Sequence, residues 1–231
     1  MGVIGDPDEN DTRQRQLQNC PDNGHLTFGG WVGRFESPMH SNTDTYKAPC
    51  SLAKLREVGT DTEVQVVVKF VYKYSGTYGT AIHQYLHSQG LAPRLYSAKD
   101  LHRGLVMVVM EYLGFQEGSG GWVELDAFEK RLGDMRGAVL KRLQEIVNLL
   151  QGERMVHADL RPKNIMVKVD EQHRISMSDG KPVLSLIDFD WAGKVGDARY
   201  QPFLNPKIRW PEGAAAYEIV GRDDDRILLD S

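Results

Sequence analysis

Two short stretches, V-H-A-D-L-R-P-K-N-I at positions 156–165 and L-S-L-I-D-F-D at 184–190, concentrate the residues able to manage phosphate chemistry. Moving a phosphoryl group between oxygens calls for an oxygen-rich magnesium clamp, a carboxylate that orients the attacking hydroxyl, and a cation on the phosphates. Asp159 and Asn164 lie between an amphipathic segment and an apolar one, so a single loop can present both to one point. Asp188 closes a second apolar segment. Strands over Ile165 to Val169 and Val183 to Ile187, paired as a hairpin, would bring Asn164 beside Asp188 and make a site of hard oxygen donors suited to Mg2+.

The elements that must position these residues follow from patterning. Residues 1–24 are rich in Asp, Asn, Gln and Pro without apolar periodicity, the composition of a tail that cannot offset its own ordering entropy. From 25 to 113 the chain reads as strands: L-T-F-G-G-W-V-G-R, Y-K-A-P-C-S-L-A-K-L-R-E-V, E-V-Q-V-V-V-K-F-V and L-V-M-V-V-M-E-Y-L, with a turn at Gly59 to Asp61. One helix interrupts them from Tyr78 to Gln89, stopped by Gly90 with Pro93 beyond. The glycine-rich stretch 114–121 reads as a hinge. After it, Ala138 to Gln151 places Leu140, Leu143, Ile146, Val147 and Leu150 on one helical face.

Composition excludes several function classes. A chain of 231 residues with 41% hydrophobic content can build one large domain or two small lobes. A net charge of −4 gives no reason to expect a nucleic-acid partner. Apolar runs such as Leu105 to Met110 fall far short of the roughly 20 residues that span a bilayer, so no membrane partner is expected. Cys20 and Cys50 are too few for a disulfide framework or a cysteine zinc site and fit a reducing, intracellular setting, cytoplasmic or nuclear.

In order and spacing these segments resemble the protein-kinase-like superfamily. H-A-D-L-R-P-K-N stands where kinases carry H-R-D-L-x-x-x-N, D-F-D where they carry D-F-G, and V-V-V-K where they carry V-A-I-K. The resemblance covers roughly residues 25–230, and its local flavour is similar to short, divergent kinase-like proteins of fungal type. It implies an α+β, two-lobed fold: a disordered tail over 1–24, a strand-rich lobe over 25–113 and a truncated, helical lobe over 114–231. It also implies transfer of the ATP γ-phosphate to a hydroxyl with ATP and Mg2+ bound, the acceptor by default a protein Ser or Thr, with a small-molecule hydroxyl as the other choice. Residue by residue, Asp159 becomes the catalytic base and Arg161 a contact to the transferred phosphate. Lys69 becomes the nucleotide-phosphate contact, and Asn164 and Asp188 the magnesium ligands. Met110, Glu111, Tyr112 and Leu113 fall at the gatekeeper and hinge, where backbone groups would hold adenine. His157 becomes a structural member of the loop, and Asp224 or Asp225 ties that loop to a later helix.

Four departures bear on activity. No Asp or Glu occurs between Glu63 and Asp100, so the helix cannot supply the usual carboxylate to Lys69; a lysine left unpaired near a low-dielectric cleft tends to lose its charge and is poorly positioned until nucleotide or Asp188 engages it. Gly29, Gly30 and Gly33 do not match a phosphate-cradling loop. Ala158 replaces an arginine that docks phosphorylated loops. Asp190 replaces a flexible glycine and reads either as a stiffening turn former or as a ligand to a second metal. His83 reads as an ordinary histidine and Trp191 as a cover over the metal loop. Three classes stand open: an ATP-dependent phosphotransferase, a pseudokinase that binds without turnover, and a metal-dependent hydrolase built on His157, Asp159, Asp188 and Asp190.

Overall fold

In the computed structural model, residues 25–28, 31–38, 50–72, 78–101 and 104–229 are described. The expected tail over 1–24, together with Cys20, Gly29 and Gly30, lies outside them.

The apolar, β-branched runs of the first half pair into one antiparallel sheet. Its strands are β1 (His25–Phe28), β2 (Trp31–Pro38), β3 (Cys50–Glu57), β4 (Glu63–Tyr72), β5 (Leu95–Asp100) and β6 (Leu105–Glu111), in the spatial order β1-β2-β3-β4-β6-β5. Alternation along β4 sorts its side chains to two faces. Val66 and Val68 join Ala53, Leu55, Met107 and Val109 in one cluster, whereas Val71 joins Val106 and Val108 in the larger core. Lys69 shares the face of Val71 and is only 7% exposed. β5 was not anticipated; its half-buried residues do not alternate and its pairing with β6 is broken by a bulge between Leu95 and Ser97.

Helix α1 (Thr80–Ser88) packs Ile82, His83 and Leu86 inward and ends at Gly90, whose φ of 69° lets the N–H of Leu91 reach back to the Leu86 carbonyl. The glycine-rich stretch expected to be a hinge is a paired hairpin, β7 (Phe115–Gln116) and β8 (Gly120–Glu124). Its glycines serve close approach: a Cβ on Gly120 would sit 2.4 Å from the Val169 carbonyl oxygen, and one on Gly121 would fall against that of Gly114. Short α2 (Leu125–Phe128) leads through two 3-10 turns into α3 (Arg136–Gly152).

The buried stripe of α3 is Val139, Leu143, Ile146, Val147 and Leu150. Leu140, expected in that stripe, is 40% exposed, because it lies at the stripe's edge and Val139 takes the buried place. The remaining strands are short: β9 (Met155–Val156), β10 (Ile165–Val169), β11 (Met177–Ser178), β12 (Lys181–Pro182), β13 (Leu184–Leu186) and β14 (Gly193–Lys194). β13, β10, β8 and β7 make a second sheet, and β9 pairs with β14. α4 (Asp224–Leu229) packs against α3. Among the described residues, no helix is long and apolar enough to cross a membrane.

Leu150→Ala, at a fully buried position, is expected to cost about 2–5 kcal/mol, lowering the thermal midpoint by roughly 5–15 °C, whereas Leu140→Ala should move it little. Thermal unfolding of both variants reads which of the two leucines faces the core.

Candidate active site

Two strand pairings bracket the motif loops. β10 runs antiparallel to β13 with Ile165 opposite Leu186, and the Ile187 N–H donates to the Asn164 carbonyl at 3.0 Å. Asn164 and Asp188 therefore leave adjacent strand ends. On the other side Val156 pairs with Gly193 and Met155 with Lys194, which ties the start of one loop to the end of the other.

The loop after β9 is held by a buried carboxylate. Asp225, 2% exposed on α4, accepts the backbone N–H of His157 at 2.7 Å and of Ala158 at 2.8 Å. Of the two adjacent aspartates considered for this tie, Asp225 makes it; Asp224 instead accepts the Tyr200 hydroxyl and the Gly221 N–H. Ala158 adopts φ 70°, a left-handed conformation that the two hydrogen bonds enforce.

Asp159 is 5% exposed and fully engaged. Arg161 clamps it from both sides, Nε to Oδ1 at 2.5 Å and Nη2 to Oδ2 at 2.7 Å. Both donors of the Asn164 amide go to Asp159, one to its carbonyl and one to Oδ2, each at 2.8 Å. Since these acceptors can only accept, the amide oxygen of Asn164 is the atom left for a metal. Burial pushes the Asp159 carboxyl up to about 6 against the pull of Arg161, so near neutral pH it is ionised and able to take a proton. The Arg161 guanidinium also lies 5.8 Å from the ring of Trp210, which stacks on Trp191. Trp191 thus supports Arg161 through Trp210.

As expected, α1 offers Lys69 no carboxylate; Asp188 engages it instead, joined by Asp190. Its Nζ lies 2.5 Å from Asp188 Oδ1 and 2.7 Å from Asp190 Oδ2. Burial alone would favour the neutral amine, but the two carboxylates outweigh it and hold the ammonium well above its ordinary range. Burial opposes ionisation of Asp188 too, yet Lys69 draws its carboxyl below the usual value. Asp190 goes the other way, to about 7, through burial and the neighbouring Asp188 charge. Above neutral pH, where Asp190 is ionised too, two carboxylates face one ammonium and leave surplus negative charge, and Oδ1 of Asp190 is buried without a hydrogen-bond donor. The Asp188 side chain is the more open, 38% exposed against 16% for Asp190. Oxygen donors with uncompensated negative charge fit Mg2+.

Phe189, fully buried, stacks on His83 at 4.4 Å and lies 5.1 Å from His157. His83, missed as a site residue in the sequence, links α1 to the motif. Its Nε2 faces the Pro93 carbonyl and must donate, so its Nδ1 accepts from the Tyr78 hydroxyl at 2.7 Å. Burial, with His87 and His157 nearby, pushes its pKa down to about 4. His157 likewise donates Nε2–H to the Ile187 carbonyl, and its Nδ1 is buried without a hydrogen-bond partner. Among the described residues no three His, Cys, Asp or Glu side chains gather as a metal cluster.

Met110 and Glu111 end β6, where Lys69 lies opposite Val108 and Val66 opposite Glu111. Three residues of strand separate the lysine from Glu111, about 10 Å, a span that suits a nucleotide stretched from phosphate to base. The Glu111 carboxylate caps the Arg94 N–H, and the Tyr112 N–H bonds to Gln65, so these groups are already used. Leu113 is half-buried in the irregular link before β7. A cavity of about 980 Å3 lined by Gly79, Thr80, Ser97, Trp191 and Arg199 shares Asp190 with the cluster but touches neither Lys69 nor Asp159.

One structural comparison bears on these elements. The kinase PK-1 of Cydia pomonella granulovirus matches over 95% of this chain and 70% of its own, with a TM-score of 0.52 and 16% sequence identity. The fold is protein-kinase-like. It is α+β and two-lobed, with the six-stranded sheet in the strand-rich part. No family model and no curated protein matches the sequence.

Asp225→Ala would strand two buried N–H groups, a loss of about 2–4 kcal/mol in urea unfolding. For His83, the fold holds the neutral imidazole while the unfolded chain takes up a proton near the usual 6.5. The unfolded state then binds more protons between about 6.5 and 4, so stability falls as pH falls through that window. Between pH 7 and 5 the wild type should lose about 2 kcal/mol more than His83→Gln, as read from urea unfolding at the two pH values.

Proposed function

We propose that this chain is an ATP-dependent phosphotransferase that moves the γ-phosphate to a hydroxyl, with residues 25–113 and 114–231 as its two lobes. The observation that carries the reading is the Lys69–Asp188 pair, a strand cation and a loop carboxylate joined within reach of the Asp159–Asn164 loop. The relation to a structure described as a kinase supports it. Mg2+ and ATP would supply the transferable phosphoryl group and neutralise its developing charge.

The chain's own residues divide the remaining work. Asp188 and the Asn164 amide oxygen would hold the metal, Lys69 the nucleotide phosphates, and the backbone at Glu111 and Leu113 the base. Arg161 must leave Asp159 for a phosphate oxygen, which frees a carboxylate to orient the acceptor hydroxyl and receive its proton. The default acceptor is a protein Ser or Thr, with a small-molecule hydroxyl as the other class.

A second reading is favoured by the same Arg161 clamp. With both oxygens of Asp159 occupied, the protein would bind nucleotide or a partner as a pseudokinase without turnover.

Mg-ATP at about 100 times its dissociation constant should add roughly 2.7 kcal/mol of stability, a midpoint rise on the order of 5–10 °C that disappears in Asp188→Asn. Asp159→Asn should lower phosphoryl transfer by about 10²–10⁴-fold while keeping that rise. A rise without any turnover in the wild type favours a nucleotide-binding pseudokinase; no rise at all sinks the phosphotransferase and leaves a pseudokinase that binds a protein partner.

A further inference from the structure

α1 carries no acid, and its N-cap meets the D-F-D segment backbone to backbone. Gly79, at its N-cap, donates its N–H to the Phe189 carbonyl at 3.0 Å. A Cβ there would lie 2.6 Å from the Ala192 Cβ and 2.7 Å from the Ala192 carbonyl oxygen. The helix start is therefore in direct backbone contact with the segment that carries Asp190. Lys69 still needs a carboxylate, because a buried ammonium without one costs several kcal/mol.

Two carboxylates reach Lys69, and they are not equivalent. Asp188 is the more exposed and lies beside the Asn164 strand end, where a cation would draw it away from the lysine. Asp190 is the more buried, and the turn formed by the Ala192 N–H on the Phe189 carbonyl helps hold its backbone. We infer that Asp190 is the positioning residue for Lys69: it supplies from the motif itself the carboxylate that α1 lacks, and it keeps the ammonium in place when Asp188 turns to a metal. Its bearing on catalysis rests on the phosphotransferase reading; the pairing does not. The anchor and the metal ligand then sit two residues apart on one loop, so the lysine's placement follows the motif and not a side chain of α1.

The test is a double-mutant cycle on the full, nucleotide-free chain at a single pH, with Asp190→Asn, Lys69→Met and both together. The expected result is a lower unfolding midpoint for Asp190→Asn in the wild-type background and an unchanged or higher one in Lys69→Met, where the second carboxylate only repels Asp188. An equal drop in both backgrounds overturns the inference, since Asp190 would then act through other contacts. Mg-ATP binding, followed by midpoint shift, separates anchor from metal ligand. Asp190→Asn should weaken it about tenfold without changing the magnesium concentration for half-maximal effect, and Asp190→Glu should restore part of the loss. A magnesium dependence shifted as in Asp188→Asn makes Asp190 a metal ligand and overturns the inference as well. Should the chain bind no nucleotide, the cycle still decides the pairing, so failure of the functional reading and failure of the anchor are told apart.

Discussion

A single buried cation organises this fold. Lys69 projects from a valine-rich strand into a region where an unpaired ammonium would be costly, and only carboxylates delivered from a distant loop make the placement tolerable. That requirement ties the first sheet to the D-F-D segment. β10–β13 on one side and β9–β14 on the other then hold the two motif loops in register with each other. The ion pair, the hairpin and the short ladder constrain the same few residues from three directions, which is how short strands can position a site.

The second tie is uncharged. His83, Phe189 and His157 form a packed column in which each imidazole gives its Nε2–H to a backbone carbonyl. Burial favours neutral rings there, for His157 even against the pull of Asp225 and Asp188. Gly79 completes the contact by letting the helix start touch the motif backbone. Helix α1 thus reaches the site through stacking and one peptide hydrogen bond, whereas the strand reaches it through charge.

Much of this was legible in the sequence, and the exceptions have physical causes. Ile165 to Val169 reads as a strand and is one, and β4 announces itself by its valines, because apolar runs between turn residues leave little choice. β5, L-Y-S-A-K-D, lacks that alternation. Glycines such as Gly120 and Gly121 look the same to a reader whether they loosen a hinge or admit a neighbouring backbone, and here they admit one. On α3, Val139 and Leu140 are both compatible with the spacing, and packing alone chooses between them. Asp188 was legible as a group that engages Lys69 once the nearest helix showed no acid, but the contact of Asp190 with the same lysine was not, because over some 120 residues of chain spacing carries no signal. Asp224 and Asp225 were indistinguishable as letters; only the direction in which α4 presents them separates the two.

The same logic accounts for Ala158. At that position the backbone is left-handed and the side chain is fully buried among Val156, Ala198, Tyr200 and Val220. An arginine there would have to bury its charge in an apolar cluster or push the cluster apart. The segment after the motif is instead held by packing: Trp191 stacks on Trp210, Tyr200 meets both edge-on, and its hydroxyl reaches Asp224. Aromatic contacts of this kind persist whether or not a phosphate is present, so the order of residues 191–220 needs no docking cation at position 158. Replacing arginine by alanine and surrounding it with tryptophan and tyrosine are then two sides of one arrangement, in which burial holds a segment that charge could otherwise have switched.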